Sequence, residues 1–165
     1  MRYGSAIAVA GLVLGLVGLA PVDGVRLAQT VAQAVDPRKA EGDQLLQQGI
    51  EKYDKGYSTD AEEIFRLAVI IYQGIQDRNG EATALMHLGM SYGTDVEAID
   101  CYTKSLTIFR QLKNQQREVE VLVKLGDYYH ATDKYGKAVP YFEQALALFR
   151  QLNDRANELE MGYVK

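Results

Sequence analysis

AIDCYTKSLTIFRQLKNQQREVEVLVKLG, residues 98–126, is the stretch on which the rest of the chain aligns. It opens on Ala98, closes on Leu125-Gly126, and matches AEEIFRLAVIIYQGIQDRNGEATALMHLG, residues 61–89, without a gap. Its opening matches again in AVPYFEQALALFRQLNDRANELEMG, residues 138–162. Small–aromatic–small triplets recur as Ala61/Phe65/Ala68, Ala98/Tyr102/Ser105 and Ala138/Phe142/Ala145, each followed by another aromatic at Tyr72, Phe109 or Phe149. Steps of four, three and four residues bring side chains back to one side of an α-helix. Three such helices in register make an internal repeat, the sequence signature of a stacked array.

Each of these helices is preceded by another with its own mark. Leu88-Gly89-x-x-Tyr92 and Leu125-Gly126-x-x-Tyr129 match closely, and Gln48-Gly49-x-x-x-Tyr53 is a looser version. A glycine in mid-helix costs about 1 kcal/mol against alanine. Its recurrence predicts a neighbouring helix too near for a side chain. From each glycine to the next small residue the spacing is 12, then 9, then 12 residues (49 to 61, 89 to 98, 126 to 138). The middle repeat therefore lacks three residues at its internal turn, and Tyr92-Gly93-Thr94-Asp95 makes a tight connection with Thr94 or Asp95 as the next N-cap. Helices are expected over 38–55, 59–77, 80–92, 95–113, 117–132 and 135–153, with a short seventh from about 156. Pro140 falls beyond the first turn of the sixth, which predicts a local bend and a missing backbone donor.

This pattern resembles the tetratricopeptide repeat family, with Leu-Gly and Tyr in a first helix and Ala, Phe and Ala in a second, over residues from about 40 to 154. The period here is 40 (Gly49 to Gly89) or 37 (Gly89 to Gly126), against about 34 for the family, similar to a longer-helix bacterial variant. The family's repeat-ending proline is absent. Polar turns starting at Asp77, Asn114 and Asp154 replace it, each followed by Glu81, Glu118 or Glu158, whose carboxylates suit the positive end of a helix. The resemblance implies an all-α chain: a right-handed α-solenoid of three antiparallel helix-turn-helix repeats, about 41–79, 80–116 and 117–156, within a domain over 38–165. A hairpin of this kind cannot bury its apolar faces alone, so stacking makes the core. Residues 157–165 read as a partial capping helix in which Leu159 and Met161 cover only part of the third repeat. The end is thus open to a partner or to self-association with a second copy.

Ahead of the repeats lies GSAIAVAGLVLGLVGLAP, residues 4–21, apolar except for Ser5 and preceded by Arg2. Such a run is long for a signal-peptide core and near the lower limit for a spanning helix. Gly11, Gly15 and Gly18 lower its hydrophobicity, and Ala32-Gln33-Ala34 supplies a small-residue cleavage pattern. Residues 1–34 therefore read as a signal peptide of an exported protein (periplasm, lumen or secreted), with retention of residues 4–20 as an N-terminal membrane anchor the alternative. Leader plus long repeats is similar to exported tetratricopeptide proteins of cyanobacteria.

The rest of the composition excludes more than it assigns. Net charge is −4 over 165 residues, which is not the basic footprint of a nucleic-acid binder. A single cysteine excludes an intramolecular disulfide, and Cys101, aligned with Ile64 and Tyr141, reads as a packed small hydrophobe. His87 and His130 are 43 residues apart and belong to no metal-ligand pair. No catalytic or cofactor-binding motif is present, so no active site, cofactor or metal is expected.

What remains is binding of another protein. The resemblance implies that the first helices line a concave groove accepting a peptide or amphipathic helix. Anchored on Leu-Gly, the groove positions are Leu46, Gln47, Ile50 and Asp54, then Met86, His87 and Met90, then Val123, Lys124, Asp127 and His130. Each also has an ordinary reading as an exposed or interhelical side chain. Some family members clamp a C-terminal carboxylate there. Here Leu46 and Ile50 stand for the expected Lys and Asn, His87 for an Asn and Glu120 for a Lys, leaving only Lys124 compatible. The expectation is a non-enzymatic scaffold or assembly factor. The alternatives are a membrane-anchored assembly factor, or the binding half of a larger peptidase or signalling protein.

Overall fold

The computed structural model describes residues 36–152. The expected leader, the capping helix over 157–165 and its sticky end lie outside the described residues. Six helices run in order: α1 Pro37–Asp54, α2 Ser58–Gly74, α3 Arg78–Tyr92, α4 Val96–Gln111, α5 Gln115–Ala131 and α6 Tyr135–Gln151. Successive pairs form three hairpins that stack into an α-solenoid, as the repeat pattern predicts.

Helices α3 and α5 start at Arg78 and Gln115, earlier than the 80 and 117 expected. The residues read as polar turns are caps. Asp77 accepts from the Gly80 N–H at 2.9 Å, and Asn114 from the Arg117 N–H at 3.2 Å, each satisfying a donor that the helix leaves open. Asp77 also pairs with Lys39 Nζ at 2.8 Å, tying α1 to the start of α3. Desolvation pushes the Asp77 carboxyl up, but the Gly80 amide and Lys39 outweigh it and hold it below the ordinary 3.8. A carboxyl depressed on folding adds stability above its unfolded pKa of about 3.9 and loses it as pH falls through the lower folded value. The thermal midpoint should therefore drop from about pH 4 downward, and Asp77→Asn should flatten that limb. An acid limb unchanged in the variant would remove Asp77 as its source.

Four of the five connections among the described residues close identically. A residue in the left-handed region ends the helix: Gly56, Gln76, Lys113 or Asp133, with φ of 83°, 58°, 55° and 58°. The next amide then bonds back to the helix, Tyr57 N–H to Lys52 O and Asp77 N–H to Tyr72 O, both at 2.9 Å, being two of the four. This is the Schellman closure. The α3–α4 connection differs, because three residues are missing there. Gly93 N–H bonds Met90 O and Asp95 N–H bonds Tyr92 O, both at 3.1 Å, and α4 starts at once behind Asp95.

The repeated glycines receive the repeated aromatics. A Cβ at Gly49 would stand 2.5 Å from the Phe65 ring, one at Gly89 2.7 Å from Tyr102, and one at Gly126 2.4 Å from Phe142. Within each hairpin the second helix thus sets a ring into a notch on the first. The triplet's small residues, Ala61, Ala68, Ala98, Ala138 and Ala145, are buried beside those rings. Ser105 replaces the alanine in the middle hairpin, and its buried hydroxyl donates to Ala82 O at 2.7 Å. Helix α3 is enclosed on most sides, so residues 80–86 are all buried. Glu81 among them bonds Gln73 at 2.9 Å and pairs with Arg78. The stack is uneven: α4 packs on α5 less closely than α2 packs on α3. Cys101 is buried, and burial pushes its thiol up to about 11. Pro140 lies exposed inside α6, and the helix runs on through it.

Candidate partner-binding site

The first helices, α1, α3 and α5, present side chains to one surface, and His87 marks its middle. The His87 ring is half-buried and stacks on Phe65 with centroids 5.5 Å apart. Burial lowers its pKa. Arg117 and Lys124 lower it further, while Glu120 and Asp54 oppose them. Those four partners come from α1 on one side and α5 on the other. Arg117 and Glu120 pair with each other at 2.6 Å, so this part of the surface is locally neutral.

The other positions named from sequence fall in three environments. Leu46, Ile50, Met90 and Val123 are half-buried and pack against the core. Gln47, Asp54 and His130 are exposed, His130 lying edge-on to Tyr135 at 5.1 Å. Met86 is only 4 % exposed, because α3 is covered where α1 and α5 are open.

Met90, Lys124 and Asp127 come together around a hollow of about 240 Å³. Its origin is the short middle hairpin. Helices α1 and α5 run on to Asp54 and Ala131, five residues past Gly49 and Gly126, whereas α3 stops at Tyr92, three past Gly89. The two flanking helices overhang that step. Tyr53, Tyr102 and Tyr128 supply aromatic walls, and Met90 and Ala131 the aliphatic ones. Gly93 and Thr94 come from the turn, and Lys124 and Asp127 are the charged pair. Desolvation raises the Asp127 carboxyl above its usual range, against the pull of Lys124 and His130.

Residues 93–151 match the family model described as tetratricopeptide repeat. Among solved structures, the TPR domain of Arabidopsis FLU superposes with a TM-score of 0.62 at 23 % identity, over 70 % of this chain and 99 % of that one. The fold is a tetratricopeptide-repeat solenoid. BtubC (BKLC) from P. vanneervenii superposes with a TM-score of 0.65 at 22 % identity, over 76 % of this chain and 53 % of that one, so the match spans about half of BtubC. No curated protein matches the sequence. Domains built of tetratricopeptide repeats are in general non-catalytic protein-interaction modules.

Among the described residues no group of three or more His, Cys, Asp or Glu side chains is placed to hold a metal ion. No described helix is long and apolar enough to cross a membrane. A second, larger cleft of about 620 Å³ opens between the second helices α4 and α6. There Tyr129 stacks on Tyr141 at 5.5 Å, and Arg110 bonds Glu118 at 2.7 Å and Gln144 at 2.9 Å. The tetratricopeptide pattern named three of the residues around the smaller hollow, Met90, Lys124 and Asp127, and missed Tyr53, Gly93, Thr94, Tyr102, Tyr128 and Ala131. Two signals pointed to them: the three-residue deletion, and a tyrosine at Tyr102 where the flanking repeats carry Phe65 and Phe142.

Proposed function

We propose that this chain is a non-enzymatic interaction scaffold whose first helices, α1, α3 and α5, hold a peptide or helix from a partner protein. The observation that carries this reading is the shared surface around His87, where side chains from all three helices converge beside a preformed hollow. Half-buried Ile50 and Met90 offer apolar contact there, and Met adapts its shape to a guest. Around them Asp54, Glu120, Lys124 and Asp127 supply both signs of charge, so the surface suits an amphipathic segment. The apolar run over residues 4–21 supports export or N-terminal anchoring, which would place the scaffold outside the cytoplasm or at a membrane surface.

Site-specific crosslinking in cells tests the groove. A photoreactive residue at Gln47, on α1, is expected to trap a discrete partner. The same residue at Ile70, 63 % exposed on α2, is expected not to. Equal adducts from both positions, or adducts from Ile70 alone, would move binding off the first helices.

A further inference from the structure

We propose that the hollow over the α3–α4 turn is the anchor pocket of this surface, and that it takes one basic side chain, Arg or Lys, of the bound segment against Asp127 and the tyrosine rings. The proposal rests on the groove reading and specifies its chemistry.

Tyr102 is the first observation. At the equivalent place the other hairpins use Phe65 and Phe142, which fill their glycine notches with no polar atom. Tyr102 fills the Gly89 notch equally well and is only 4 % exposed, yet it carries a hydroxyl. That hydroxyl makes no hydrogen bond among the described residues. No sealed polar atom there lacks a partner, so the oxygen opens into the hollow. Packing alone is served by phenylalanine. Opening into the hollow, that oxygen is met by water when the hollow is empty and is available to a donor from a guest.

The second observation is the charge. Asp127 forms no ion pair among the described residues, although Lys124 stands one turn away on α5. Asp127 is itself exposed, and its carboxylate is held on a short stem at the hollow's edge, where the surrounding protein raises its pKa and an incoming cation favours the charged form. The faces of the tyrosine rings attract the same charge. Lys124 opposes it, but its ammonium rides on a flexible four-carbon stem and can swing out of the hollow into water. The chain's net charge of −4 favours a basic partner as well. At about 240 Å³ the space suits one long side chain and excludes a helix.

The test uses the full 15N-labelled chain and small probes. N-acetylarginine methylamide is expected to shift the Gly93 and Ala131 amides saturably, with the norleucine analogue at least tenfold weaker and the glutamate analogue silent. Asp127→Asn should weaken the arginine probe about tenfold, as loss of a charged hydrogen-bonded partner does. Tyr102→Phe, which keeps the ring in its notch, should weaken it about threefold. Lys124→Gln should tighten it. Saturation by the glutamate probe with loss in Lys124→Gln would overturn the proposal in favour of an anion site. Arginine binding indifferent to Asp127→Asn, or no arginine binding at all, would overturn it too. The probes read the hollow without a partner, so crosslinks from Gln47 with silent probes sink the anchor alone. Saturating probes without those crosslinks sink the groove reading instead.

Discussion

Phe65→Ala is expected to lower the stability of the array by about 3–5 kcal/mol, the range for a fully buried phenylalanine cut to alanine. Phe65 is 0 % exposed, with one edge in the Gly49 notch and His87 stacked on its face at 5.5 Å. Its removal empties the centre of the first hairpin and strips the groove's histidine of its support. The same pair makes a sharper test through its partner. Gly49→Ala alone puts a Cβ 2.5 Å from a ring that has nowhere to go. Overpacking of that kind costs about 1–3 kcal/mol and outweighs the roughly 1 kcal/mol alanine gains in a helix. Once the ring is gone only the helix gain remains. In the Phe65→Ala background Gly49→Ala should therefore change sign and stabilise, a coupling expected of residues in direct contact. Urea melts followed by far-UV circular dichroism read all three variants. A stabilising Gly49→Ala in the otherwise native chain would refute the notch as the reason for the glycine.

Gly80→Ala is expected to be worse than Gly49→Ala, toward the upper end of about 1–3 kcal/mol. A Cβ there would meet the Tyr72 ring at 2.3, 2.4 and 2.7 Å, the last being Cγ, which cannot swing away as a ring tip can. Tyr72 is pinned on its far side too. Its hydroxyl donates to Asp43 at 2.8 Å, its edge lies 3.0 Å from where a Gly42 Cβ would be, and Lys39 Nζ sits 5.6 Å from its centroid. The ring is thus clamped between α1 and α3, where the first hairpin meets the second. Gly136→Ala is the control. Nothing lies within 4 Å of its Cβ position in α6, so it should gain up to about 1 kcal/mol from helix propensity. Thermal melts that rank Gly80→Ala at or above the native chain would mean the Tyr72 clamp is slack.

How much of this could be read beforehand depends on the kind of residue involved. Gly49, Gly89 and Gly126 were legible as close approaches because a mid-helix glycine repeated at one place needs a cause, and the aromatic triplets supplied it. Gly80 was not, since at a helix start it passes for a turn residue. The ends of α3 and α5 were misplaced for the same reason: Asp77 and Asn114 look like loop and act as caps. Gln76 and Lys113 gave no sign of left-handed backbone, which the helix-ending closure imposes on residues that do not prefer it; Asp133 tolerates it better. Met86 was assigned to the groove by alignment with Leu46 and Val123, but α3 has neighbours on both sides where those helices have fewer. The hollow was half legible. The deletion at residues 92–95 was plain from spacing, but which side chains overhang the gap depends on how far α1 and α5 extend past it.

The loose seam between α4 and α5 has a mechanical meaning. In a linear array, stability is a sum of hairpin terms and nearest-neighbour couplings, so the weakest coupling sets where the chain first comes apart. Here that seam separates the third hairpin from the first two, and the hollow straddles it. Tyr53, Met90 and Tyr102 stand on one bank, Lys124, Asp127 and Tyr128 on the other. Anything held there grips both banks and binds only while they stay together. A guest held there as proposed would be a bolt across the hinge, and its occupancy would couple two loosely joined modules into one cooperative body.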